Sequence, residues 1–191
     1  MNYAEGKHGL AELRRQMGLL REQMRALQIT VEPEVVSDYV FASADGPLRL
    51  SELFGDKPEL IVIHNMGRSC PYCTMWADGY NGVFEHLASR TAFAVISPDS
   101  PDEQRAFAAS RGWRFALLSH QGTRFAADMG YQAEGGGWLP GISAFRRDGD
   151  RILRVCDVES GPHDDFCAVW HLFDLLPGGA EGWRPRLGYA A

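Results

Sequence analysis

Two cysteines stand three residues apart in "IVIHNMGRSCPYCTMWADGYNG", directly after an apolar run and directly before a helix-like stretch. Pro71 suits the first position of a helix, where its missing N–H would have no partner anyway. Cys70 then falls at the N-cap. There, free amides and the positive end of the helix favour a thiolate and can lower a cysteine pKa from about 8.5 to roughly 7 or below. Cys73 lies one turn on, within disulfide reach, so Cys70 is the expected nucleophile and Cys73 the resolving thiol of a thiol–disulfide exchange. Arg68 either adds positive potential to Cys70 or is a solvated loop arginine. Tyr72, Trp76 and Tyr80 share one helical stripe, which favours a core role over a partner-binding edge.

Cysteine and histidine also suit zinc. His163, Cys167 and His171 recur at steps of four in "HDDFCAVWHLFDLL", so a zinc site joining Cys70 and Cys73 to His163 or Cys167 is the rival reading. Cys156 alternates inward on a strand and reads as a small core residue. A non-catalytic dimeric interaction module, with an inert dithiol, is a third reading.

The elements that must position these residues are legible in outline. "ELIVIHN" and "AFAVISP" are short apolar runs, hence buried strands, with a helix over 71–89 between them; that order makes a parallel strand–helix–strand unit. "SPDEQRAFAASRGW" is a helix capped by Ser100, opened by Pro101 and closed by Gly112. "FALLSH" is a further strand and "TRFAADMG" a short helix. Pro140 opens a strand whose hairpin turns at Asp148-Gly149, and a last helix covers "HDDFCAVWHLFDLL". The directions of these elements bring the dithiol, Pro140 and the start of the last helix to one end of the sheet.

Ahead of this domain, Leu10, Leu13, Met17, Leu20, Met24 and Leu27 alternate at steps of three and four, an a/d seam on a helix. Packing against its own domain is the favoured use, and a homodimer the other. The divisions expected are a helical extension over 1–36, a main domain over 37–178 and a tail over 179–191. With 191 residues, 45% hydrophobic and 23% charged, the chain can close one sizeable core. The net charge of −6 and the scattered basic residues argue against nucleic acid. No stretch reads as a membrane span or a signal h-region, so the expectation is a cytoplasmic protein with no membrane partner. In a reducing compartment a C-x-x-C is catalytic or metal-binding more often than structural. No organic cofactor is implied. A disulfide-containing small molecule or protein and an external thiol reductant are the expected partners.

A strand, a C-x-x-C at a helix start and a later proline opening a hairpin strand resemble the thioredoxin superfamily. That resemblance implies a cis Leu139-Pro140 bond beside the disulfide as the docking point for substrate, with Trp138 edging the groove. It also sets His64 six residues before Cys70, where thioredoxins keep a buried acid. His64 then either moves a proton for Cys73 or is a core histidine bonded to its surroundings. "AFAVISPDSPDEQRAFAASRGWRFALLSHQGTRFAADMGY" is similar to the peroxiredoxin branch, which implies a mixed sheet flanked by helices, an α/β class. Peroxidase activity is an alternative reading. Against it, that family carries a threonine three residues before its peroxidatic cysteine, where Gly67 precedes Cys70 here. "DYVFASADGPLRLSELFG", "CPYCTMWADGYNG", "RGWRFALLS", "LPGISAFRRDGD" and "WHLFDLLPGG" together resemble the bacterial family known as domain of unknown function 899, described as predicted dithiol-disulfide oxidoreductases.

Overall fold

The computed structural model describes residues 2–189. Two compact units divide it, residues 1–34 and 35–191. The first consists chiefly of helix α1 (Tyr3–Gln28). Its N-terminus carries a capping box: the Asn2 side chain accepts from the Glu5 N–H, and Glu5 reaches back to the Asn2 N–H. No residue of α1 is buried, and its seam residues run from 46% exposed at Met17 to 68% at Leu27. Within its own unit nothing buries this seam.

The second unit is built on an eight-stranded mixed sheet. Its strands are β1 (Glu34–Val36), β2 (Val40–Ser43), β3 (Gly46–Arg49), β4 (Glu59–His64), β5 (Ala92–Ser97), β6 (Ala116–Ser119), β7 (Gly141–Asp148) and β8 (Arg151–Glu159), in spatial order β1-β8-β7-β4-β5-β6-β2-β3. β4, β5 and β6 are parallel neighbours; the other pairings given for β2, β3, β7 and β8 are antiparallel. The two central strands alternate cleanly. Leu60, Val62, Ala94 and Ile96 join Phe41, Phe125 and Phe145 in one core cluster, while Ile63, Phe93 and Val95 join Ala77 and Phe115 in another. Because a strand's side chains point to opposite faces, this doubles the burial obtained from each strand and accounts for the unbroken apolar runs.

The helices are α2 (Pro71–Gly82), α3 (Phe84–Arg90), α4 (Pro101–Arg111), α5 (Phe125–Asp128) and α6 (Ala168–Phe173). The helix expected over 71–89 is interrupted at Val83, whose φ of −113° and ψ of 13° leave the helical region. α4 begins and ends as the sequence indicates, with Ser100 and Glu103 forming a capping box and Gly112 in the left-handed conformation.

Two expectations need correcting. The last helix is only six residues long, because His163 adopts a positive φ of 71° and the chain over 161–167 runs as turns. Cys156 is half-buried, not a core residue. Ala144 pairs with Cys156 and Phe145 with Arg154, so Val155 is an extra residue in β8, and this bulge puts Cys156 out of phase with buried Ile152. Among the described residues no helix is long and apolar enough to cross a membrane.

Candidate active site

Cys70 is the N-cap of α2, with extended backbone, and Pro71 takes the first helical position. Both cysteines are free thiols. The Cys73 N–H donates to Cys70 Sγ at 3.1 Å, and the Cys70 carbonyl accepts from the Thr74 N–H at 3.1 Å and the Thr74 hydroxyl at 3.0 Å. The pair is asymmetric. Cys70 is half-buried, whereas Cys73 is 4% exposed.

This asymmetry sets the acidities. The Cys70 pKa is brought down from 9.0 to about 7, first by the hydrogen bond from the Cys73 thiol and then by the N–H groups of Cys73 and Tyr72, against the opposing effect of burial. The Cys73 thiol is pushed strongly up by its bond to Cys70, by burial and by the neighbouring Cys70 charge, with the Met66 N–H, 3.5 Å from its sulfur, acting the other way. A thiolate at the helix end is thus held by a buried thiol that keeps its proton.

The loop entering this site is fixed by polar groups that the motif alone does not reveal. Asn65 accepts from the Gly67 N–H at 2.8 Å, and Asp99, beyond the end of β5, accepts from the Arg68 N–H at 2.8 Å. Gly67 has φ of 104°, and a Cβ there would sit 3.1 Å from the Asp99 carboxylate, so a side chain is disfavoured on both counts. Asn65-Met66-Gly67 is an Asx-turn pattern, the signal by which the sequence could have disclosed this anchor. The Arg68 side chain pairs with Glu103 at 3.0 Å and is half exposed. The causes that lower the Cys70 pKa all lie in residues 70–73, and Arg68 is not among them.

His64 ends β4 inside the protein, 5% exposed. Its Nε2 lies 2.8 Å from the Ser143 hydroxyl, and its ring stacks on Tyr131 with centroids 3.7 Å apart. Burial, then the positive potentials of His120 and Arg154, bring its pKa down to about 3. An imidazole that stays neutral at working pH is a weak base; this favours the core-histidine reading over proton transfer.

The remaining predicted residues are partly gathered. Pro140 lines a small cavity with Cys73, His64, Trp76 and Ser160, which places the start of β7 beside the dithiol. The Leu139-Pro140 bond is trans, as is every described peptide bond, which corrects the cis geometry implied by the thioredoxin resemblance. Leu139 N–H donates to the Tyr131 carbonyl at 2.9 Å, and the Pro140 carbonyl accepts from the Ser160 N–H at 3.0 Å. Trp138 is half-buried with its ring edge-on to His120 at 4.5 Å. Trp76 is 4% exposed in a cluster with Trp170 and Cys167, and half-buried Tyr72 packs against it. Of the stripe, Trp76 is buried and Tyr72 and Tyr80 are half-buried against it. The Trp76 indole donates to Asp164 at 3.2 Å; Asp164 also accepts from the Gly161 and Phe166 N–H groups, and so ties the 161–166 turns to α2.

The zinc arrangement is not assembled. His163 packs on Trp170, Cys167 is buried in the aromatic cluster, and His171 pairs with Asp165 at 3.4 Å. Among the described residues no group of three or more histidine, cysteine or acidic side chains is arranged to hold a metal ion.

Comparison with known proteins agrees with this fold. Peroxidoxin BcpB of Mycobacterium tuberculosis is 26% identical, with a TM-score of 0.56 over 67% of this chain and 84% of its own. Peroxiredoxin Q of Xanthomonas campestris is 18% identical, TM-score 0.55, over 63% and 79%, and a peroxiredoxin-like protein of Aquifex aeolicus is 15% identical, TM-score 0.55, over 66% and 74%. The last two likenesses concern the fold; that to the mycobacterial peroxidoxin supports a redox class of oxidoreductase. No curated protein matches the sequence. The family model described as "Bacterial protein of unknown function (DUF899)" matches residues 9–186, and the chain belongs to that family.

Proposed function

We propose that this protein is a thiol–disulfide oxidoreductase acting through Cys70 and Cys73. The observation that carries the reading is the asymmetry of the pair: a half-buried N-cap sulfur with its pKa near 7, bonded to a buried thiol whose pKa is raised. The Cys70 thiolate attacks one sulfur of a substrate disulfide and forms a mixed disulfide, and the other substrate sulfur leaves as a thiolate. Cys73 then loses its proton and attacks the Cys70 sulfur. The second substrate thiolate leaves, and the Cys70–Cys73 disulfide remains. The lost proton and one from solvent complete the two product thiols. An external thiol reductant returns the enzyme to its dithiol form.

A peroxidase reading is favoured by one finding, the 26% likeness to a peroxidoxin. In that case Cys70 attacks the O–O bond, an alcohol or water leaves, and Cys73 condenses with the Cys70 sulfenic acid, releasing water and giving the same intramolecular disulfide.

Thiol trapping with mass spectrometry separates the two. Reduced protein is mixed with a model disulfide or with hydrogen peroxide, and the Cys70–Cys73 disulfide is followed over time. Faster formation with the disulfide, and a Cys73→Ser variant that accumulates a mixed disulfide at Cys70, is the expected result. Formation with peroxide alone overturns it in favour of the peroxidase, and a dithiol inert to both removes the redox reading.

A further inference from the structure

Helix α1 carries a feature that the dithiol chemistry does not use. Leu10, Met17 and Met24 occupy heptad positions a, and Leu13, Leu20 and Leu27 positions d, and nothing within their own unit buries any of the six. A lone 26-residue helix gains little stability from its backbone alone, and helices in proteins are held by burial of an apolar face. The capping box shows that the N-terminus is specified as a helix start, not as a frayed tail. Gly18 falls at b and Gly9 at g, outside the seam, while Gly6, at d one heptad before Leu13, lies ahead of the six seam residues. The Glu12–Arg15 ion pair joins positions c and f on the outer face.

We propose that α1 forms a parallel two-stranded coiled coil with the same helix of a second copy of this chain. The 3-4 spacing over six positions is the pattern that lets a and d side chains interlock as knobs into holes. Covering them on both helices removes on the order of 1,200 Å² from water, the lower end of what a specific interface buries. Orientation follows from charge. The e positions hold Arg14 and Arg21, and the g positions Gly9, Gln16 and Gln23. An antiparallel pair brings e against e, so arginine meets arginine across the seam. A parallel pair brings g against e of the partner, so each arginine meets glycine or glutamine and the repulsion is avoided.

Sedimentation equilibrium of the full chain at tens of micromolar should return twice the monomer mass. A Leu13→Glu/Leu20→Glu variant, which alters only exposed residues, should weaken the dimer at least about 100-fold and leave the rest of the far-ultraviolet spectrum folded. In a parallel pair the two copies of residue 10 are adjacent, so Leu10→Cys should add an oxidant-dependent cross-linked dimer that the unsubstituted chain lacks. A monomer at these concentrations, a dimer indifferent to the double substitution, or a dimer with no cross-link at position 10 overturns the proposal. So does a monomer whose α1 instead binds vesicles of anionic phospholipid.

Discussion

The lowered Cys70 pKa rests first on Cys73, and Cys73→Ala is the perturbation that isolates this. The shift runs from 9.0 to about 7, with the Cys73 thiol as the largest lowering cause and two backbone N–H groups next. Alanine removes the S–H donor but keeps its own backbone N–H and the helix end. Discounted for solvent screening at a half-buried sulfur, the pKa should rise by at least about one unit. At pH 7 about half of the Cys70 is thiolate in the unsubstituted protein, and about a tenth or less in the variant. The assay is alkylation by iodoacetamide from pH 5 to 10, quantified on the Cys70 peptide by mass spectrometry. The midpoint should move upward, and the rate at pH 7 should fall by roughly fivefold. Cys73→Ser, which keeps a donor, should lie between the two. A midpoint still near 7 in Cys73→Ala would refute the reasoning and assign the acidity to the helix end alone.

Other consequences are testable together. His64 has a folded pKa of about 3 against an unfolded value of 6.5, so the unfolded chain binds the extra proton between those values. Stability is thus fully present above pH 6.5 and declines as pH falls toward 3, by at most about 5 kcal/mol. Urea denaturation across that window should show the decline, and a His64→Phe/Ser143→Ala variant should flatten it. Gly141→Ala places a Cβ within the Tyr131 ring and should cost about 3 kcal/mol, read as a lowered thermal midpoint. Asp78→Ala leaves Arg111 and the Trp113 indole without their shared acceptor and should cost about 2 kcal/mol by the same measurement, with Cys70 alkylation unchanged.

The parts legible in the sequence were those under local rules. Apolar runs at 59–64 and 92–97 could only be doubly buried strands, and Pro71 after Cys70 placed the nucleophile at a helix start. What escaped depended on tertiary context. Nothing in "HDDFCAVWHLFDLL" announces that His163 adopts a left-handed conformation, because histidine is an ordinary helix residue and the turn is held by Asp164 reaching Trp76. The extra residue in β8 defeated a period-two reading of Cys156. The acidity of His64 is set by depth of burial and by the charges of His120 and Arg154, which no spacing records.

The rim of the site beside Pro140 carries one further implication. The Leu139 N–H and the Pro140 carbonyl are already paired within the chain, with Tyr131 and Ser160. A polypeptide laid along that rim in extended form finds those two main-chain groups engaged, so neither offers it a free partner for strand addition. Under the proposed exchange, discrimination would fall to side chains at this rim such as half-buried Trp138. Under that reading, substrate preference would rest on a few exchangeable side-chain surfaces and could diverge between relatives while the sheet and the dithiol stay as they are.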